Sequence, residues 1–138
     1  MNLLFHRKIF GSNRNTVKLL ISDMMDCIMI WNPLEEDEQF EFKLILNELI
    51  SNGLTHGNAR CEDKSLVASI REIDSNTISI YIEDEGEGFN HRNFFCDNWP
   101  IYMEGGRGLK IIRELCDQIQ FYRNGSHIEV YKSIKRKI

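Results

Sequence analysis

The chain has 138 residues, of which 42% are hydrophobic and 28% charged. That supports one hydrophobic core and not two, so a single domain over residues 1–138 is expected. A formal net charge of −4 argues against nucleic acid as the main partner, and no apolar run approaches the roughly 18 residues that would imply a membrane span. His6, Arg7 and Lys8 follow an apolar start, the reverse of a signal peptide. Cys27, Cys61, Cys96 and Cys116 are widely spaced without a C-x-x-C pair, so four unpaired thiols and a cytoplasmic location are expected rather than a zinc site or a disulfide framework. The basic cluster Lys132, Lys135, Arg136 and Lys137 reads as a solvated strand end and tail.

Leu3 to Phe10 is short and apolar at both ends, the pattern of an edge strand. Asn13 or Asn15 can cap a helix reaching about Trp31, with Val17, Leu20, Ile21, Met24 and Ile28 at helical spacing. Asn32-Pro33 ends it. A second helix is predicted from about Leu34 to Leu54, with an acidic first turn and a stripe of Phe42, Leu46, Leu49, Ile50 and Leu54. Gly57 is a plausible stop. Strands follow at Ser65 to Ile73 and Thr77 to Glu83, joined by Asp74-Ser75-Asn76. Residues Asp84 to Gly106 form a long stretch rich in Gly, Asn, Asp and aromatics, and such loops are usually functional or mobile. A helix from Gly108 to Asp117 and two strands, Gln118 to Tyr122 and His127 to Ile134, close the chain, with a turn at Asn124-Gly125. Consecutive hairpins favour an α+β two-layer sandwich, with a mixed, mostly antiparallel sheet carrying helices on one face.

Three stretches carry chemistry. On the second helix, Glu48, Asn52 and His56 are spaced four apart, beside the apolar stripe. An Asn oxygen suits Mg²⁺, and a Glu one turn away can accept a proton from an attacking hydroxyl or water. After the second strand of the hairpin comes Asp84-Glu-Gly86-Glu-Gly88-Phe89. Its glycines allow close backbone approach, and its Asp can accept from an exocyclic amine such as that of adenine. The third stretch, Gly105-Gly106-Arg107-Gly108-Leu109, opens a helix, where free N–H groups and the positive helix end attract anions. It is neither a Walker A loop nor a dinucleotide fingerprint. Taken alone, the first is equally a solvated polar face, the second a surface turn and the third a lid hinge. Together and in this order, they are the parts an ATP site needs.

These residues resemble the Bergerat ATP-binding fold of gyrase, heat-shock chaperone, histidine kinase and mismatch-repair ATPases. Glu48-x-x-x-Asn52 matches the first box, Asp84-x-Gly86-x-Gly88 the second and Gly106-x-Gly108 the third. Within that histidine-kinase-like group the chain looks like the small bacterial anti-sigma-factor serine/threonine kinases, through Asn47-Glu-Leu-Ile-Ser-Asn52, His56-Gly57 and Gly105-Gly-Arg-Gly-Leu-Lys-Ile-Ile. The resemblance implies that Asn52 holds Mg²⁺, Asp84 contacts adenine and Gly86 and Gly88 shape the adenine pocket. It assigns the phosphate loop to Gly106, Arg107, Gly108 and Leu109, and the general base towards a partner's serine to Glu48. It further implies an anti-sigma-factor antagonist as substrate, a sigma factor as alternative partner and a homodimer. Many such kinases place an Arg just before the third box, where this chain has Glu104 and Gly105; Arg107 or Lys110 could supply the charge instead. An ATP-gated binding switch and a slow ATPase without productive transfer share the same site.

Overall fold

The computed structural model describes residues 2–87 and 106–135. Five strands form one sheet in the order β1-β2-β3-β5-β4, with every neighbouring pair antiparallel. The strands are β1 (Asn2–Phe10), β2 (Ser65–Asp74), β3 (Thr77–Glu83), β4 (Gln118–Tyr122) and β5 (His127–Ser133). The helices are α1 (Arg14–Trp31), α2 (Glu36–Asn52) and α3 (Gly106–Leu115). The expected two-layer α+β arrangement is therefore present, and the sheet is antiparallel throughout its described ladders. β1 lies at an edge, as expected, though with nine residues it is longer than β3, β4 and β5.

Period-two alternation decides which face of the sheet meets the helices. Leu66, Ala68 and Ile70 of β2, Ile78, Ile80 and Ile82 of β3, and Ile128 and Val130 of β5 are all buried. The register sets Ile80 opposite both Ile70 and Val130, and Ile82 opposite both Ala68 and Ile128, so one continuous apolar surface runs across the sheet. Against it pack Leu20, Met24 and Ile28 of α1, Phe42, Ile45, Leu46, Leu49 and Ile50 of α2, and Leu109 and Ile112 of α3, in a single core cluster. Each such side chain contributes roughly 1.5–3 kcal/mol when fully buried.

Local chemistry sets the helix ends. Asn13 caps α1, its Oδ1 accepting from the N–H of Asn15 at 2.9 Å and of Thr16 at 3.3 Å. The Arg7–Asp23 ion pair at 2.8 Å and the bond from Trp31 Nε1 to Glu72 at 2.9 Å tie α1 to the first two strands. The second helix departs from expectation. α-Helical bonding stops at Asn52, and the chain continues as a π-helical turn, Gly53–Gly57. Gly53 lets the turn lie close against β2, because a Cβ there would lie 2.5 Å from Leu66 Cδ1. Such turns recur at functional sites.

The basic C-terminal cluster is corrected at Lys132, which is buried rather than solvated. Its Nζ donates to Leu115 O at 2.7 Å, at the end of α3, and lies 3.8 Å from Glu41 of α2. A cation there satisfies a helix-terminal carbonyl, one of those that no intrahelical donor can reach. Arg136 and Lys137 lie outside the described residues. Cys27, Cys61 and Cys116 are free thiols, and Cys96 lies outside the described residues. Among the described residues, no helix is long and apolar enough to cross a membrane.

Candidate functional site

Two contacts bring the three chemical stretches together. α2 and the π turn run from Glu48 through Asn52 to Gly57. At the near end, a Cβ on Gly108 would fall on Glu48 Oε2. The first turn of α3 therefore rests against the Glu48 carboxylate, with no room between them for a side chain. At the far end, a Cβ on Gly57 would fall on the Asp84 carboxylate, and one on Gly86 would fall on the Gly57 carbonyl. At Gly57 and Gly86 the close approach is to a held carboxylate and to backbone, and glycine is required there. All three stretches thus meet along one line on the second helix and its π extension.

Asp84 is only 9% exposed. Its backbone N–H donates to Ser126 O at 2.9 Å, and its Oδ1 accepts from Gly86 N–H at 2.7 Å. Burial pushes its carboxyl up to about 6, against the lowering effect of the Gly86 bond and of Lys64; Glu83 adds a smaller rise. A buried carboxylate with one defined hydrogen bond, facing glycine backbone, has acceptor capacity left for a ligand donor.

Residues 12–132 match the histidine kinase-like ATPase domain family. The chain belongs to this family. The serine-protein kinase RsbW of Staphylococcus epidermidis is 29% identical over 110 residues, covering 73% of this chain and 69% of that protein. RsbW of Staphylococcus aureus (strain JH9) is 26% identical over the same length and coverage. The chain is accordingly a histidine kinase-like ATPase domain, similar at this level to two serine-protein kinases.

Asn52, the residue expected to hold a metal, is half-buried. Its Nδ2 is buried with no hydrogen-bond partner among the described residues. An unpaired buried polar group costs about 1–3 kcal/mol, so a native structure keeps one where something else satisfies it. A terminal amide can present either its nitrogen or its oxygen to the same place; the residue thus fits Mg²⁺ as well as a hydrogen-bonding ligand. The described residues contain no cluster of three or more His, Cys, Asp or Glu that could hold a metal. Mg²⁺ commonly rests on one or two protein ligands plus substrate phosphates and water.

The remaining residues expected at the site divide as follows. Gly106 and Arg107 open α3 by backbone, and Leu109 is a buried core residue anchoring that helix. The Arg107 side chain, Gly88, Glu104, Gly105 and the aromatic residues Phe94, Phe95, Trp99 and Tyr102 lie outside the described residues. His56, expected beside Glu48 and Asn52 on an unbroken α-helix, instead sits exposed on the π turn.

Sequence reasoning missed Asn58, the first residue beyond the π turn. It is 1% exposed, and its side chain joins the start of β2 to the turn after β3. Its only signal in the sequence is an Asn directly after a glycine stop, which reads just as well as a turn residue. Gly57 is legible as that stop and as part of the resemblance, but its contact with Asp84 is not, because Asp84 lies far along the chain.

Proposed function

We propose that the chain binds Mg-ATP along α2 and transfers the terminal phosphoryl group to a serine or threonine of a small regulatory partner protein. The partners that fit this reading are an anti-sigma-factor antagonist as substrate and a sigma factor as the alternative ligand; both follow from the resemblance to the anti-sigma-factor kinases. The observation that carries the reading is the packing of Gly108 against the Glu48 carboxylate. It puts a candidate general base beside the N-terminal end of a helix, where phosphate oxygens are attracted.

The roles follow from position. Asp84 accepts from the exocyclic amine of adenine, with Gly86 and Gly88 allowing close approach. Backbone N–H groups at Gly106, Arg107 and Gly108 face the phosphates, and Leu109 fixes that turn in the core. Asn52 holds Mg²⁺, which when bound neutralises charge on the phosphate oxygens. Glu48 takes the proton from the attacking hydroxyl. The new bond joins that oxygen to the terminal phosphorus, the bond from this phosphorus to the bridging oxygen breaks, and ADP departs. Glu48 then returns its proton to solvent.

Calorimetric titration with ATP and ADP, with and without Mg²⁺, tests the site on wild type and Asn52→Ala. Mg-dependent affinity present in wild type and lost in the variant is expected, with folding unimpaired because Asn52 Nδ2 gives up no hydrogen bond among the described residues. No binding at millimolar nucleotide would sink the proposal. Tight binding without transfer to any serine-containing partner would leave an ATP-gated binding switch.

A further inference from the structure

Asn58 uses every hydrogen-bonding group it has for position. Its N–H donates to Gly53 O at 2.8 Å, closing the π turn, and its carbonyl accepts from Cys61 N–H at 3.0 Å. Its Nδ2 donates to Ser65 O at 2.8 Å, and its Oδ1 accepts from Glu85 N–H at 2.7 Å. The Glu85 carboxylate returns to accept from Ser65 N–H. Ala59 and Arg60, which follow, have φ of 50° and 55°. Such left-handed non-glycine residues are costly and persist only where their surroundings determine them.

The Glu85 N–H belongs to the peptide bond that leaves Asp84. The peptide bond entering Asp84 is held from the other side by Ser126 O. Asp84 is therefore gripped on both flanks, and only the Asn58 grip comes from a side chain. That grip also fixes Asp84 relative to Gly57, one residue before Asn58, against which its carboxylate lies. We propose that Asn58 is a positioning residue for base recognition: it aims the Asp84 carboxylate at the exocyclic amine of the nucleotide's adenine while touching neither base nor phosphate. The proposal rests on the reading of Asp84 as the adenine acceptor.

A purely structural Asn58 would lower the melting point without changing which base the folded protein prefers. The informative quantity is thus the ratio of affinities for ATP and inosine triphosphate, which lacks the exocyclic amine. It is measured with Mg²⁺ by calorimetry well below the melting midpoint. Wild type should prefer ATP by about tenfold, the effect of one well-aligned hydrogen bond. In Asn58→Ala the ratio should fall towards one. Ile28→Val, a destabilising change in α1, should keep the wild-type ratio. Should Asn58→Ala fail to fold, Asn58→Ser makes the same test with a smaller loss of volume. A wild-type ratio retained in the Asn58 variant overturns the positioning role alone. A wild type that binds both nucleotides equally overturns the adenine role of Asp84 and this proposal with it.

Discussion

The two ends of the site are built differently. Around Asp84 the polar groups are paired: Gly86 N–H on its carboxylate, Ser126 and Asn58 on its flanking peptides, Glu85 back onto Ser65. Around Asn52 and Glu48 the pairing is sparse. The Asn52 amide nitrogen is buried without a partner among the described residues, and Glu48 meets the first turn of α3 through space that a glycine leaves open. A well-paired network resists rearrangement while still leaving Asp84 acceptor capacity for a ligand, whereas unpaired polar groups gain when a ligand arrives. On the function proposed above, the difference makes the Asp84 end preorganised for the base and leaves the Asn52 and Glu48 end to be completed by the metal and phosphates that bind there.

The sharpest way to break that comparison is Gly57→Ala. The added methyl group would fall on the Asp84 carboxylate, a short side chain on a backbone held from both sides, so nothing nearby can give way cheaply. Overpacking of this kind costs about 3 kcal/mol, and nucleotide binding should fall below detection. Thermal melting and calorimetry on the same sample check both. A variant that melts and binds like wild type would show that the base end is soft.

A smaller effect comes from pH. The Asp84 carboxyl is raised from an ordinary value of 3.8 to about 6 in the folded protein by burial, with Lys64 and the Gly86 N–H opposing and Glu83 assisting. A raised acid binds its proton more tightly when folded, so its contribution to stability is complete below the unfolded value and is lost as pH rises through the folded one. The loss is on the order of 2 kcal/mol between about pH 4 and pH 6. The stability difference between wild type and Asp84→Asn, followed by urea unfolding across this window, isolates it from the other carboxylates. Nucleotide affinity should move oppositely, rising with pH as the carboxylate ionises and can accept from the base. A difference that stays flat with pH would place the Asp84 carboxyl near its ordinary value.

Much of this architecture is legible in the sequence, and the reasons are local. Alternation in Leu66, Ala68 and Ile70 and in Ile78, Ile80 and Ile82 fixed two strands and their inward face. The stripe from Phe42 to Ile50 fixed the buried side of α2, and Glu48, Asn52, Asp84 and Gly108 stood out because chemistry needs those types at those spacings. What escaped depended on distant partners. The close approach of Gly53 to Leu66 at the start of the π turn joins residues that no period connects. Asn58 matters through Ser65 and Glu85. Lys132 looked like part of a charged tail until Leu115 and Glu41 were brought to it by the fold.

The least disruptive test falls at the other end of the site. Gly108→Ala would also place a methyl group on a carboxylate oxygen, that of Glu48. The geometry resembles Gly57→Ala, but the neighbour is the far end of a long side chain that can rotate away. Alanine also favours a helix over glycine by about 1 kcal/mol, so the net stability change should stay within about 1 kcal/mol of zero. The consequence should appear in chemistry instead. A Glu48 displaced from the first turn of α3 no longer stands where a hydroxyl attacking the terminal phosphate would give up its proton, and transfer should slow at least about tenfold with ADP affinity nearly unchanged. The two glycine variants thus separate the ends of the site, one losing binding and stability together, the other losing only transfer. If Gly108→Ala transferred phosphate at the wild-type rate while Glu48 had moved, the base would have to be sought elsewhere, and the contact between α2 and α3 would be packing alone.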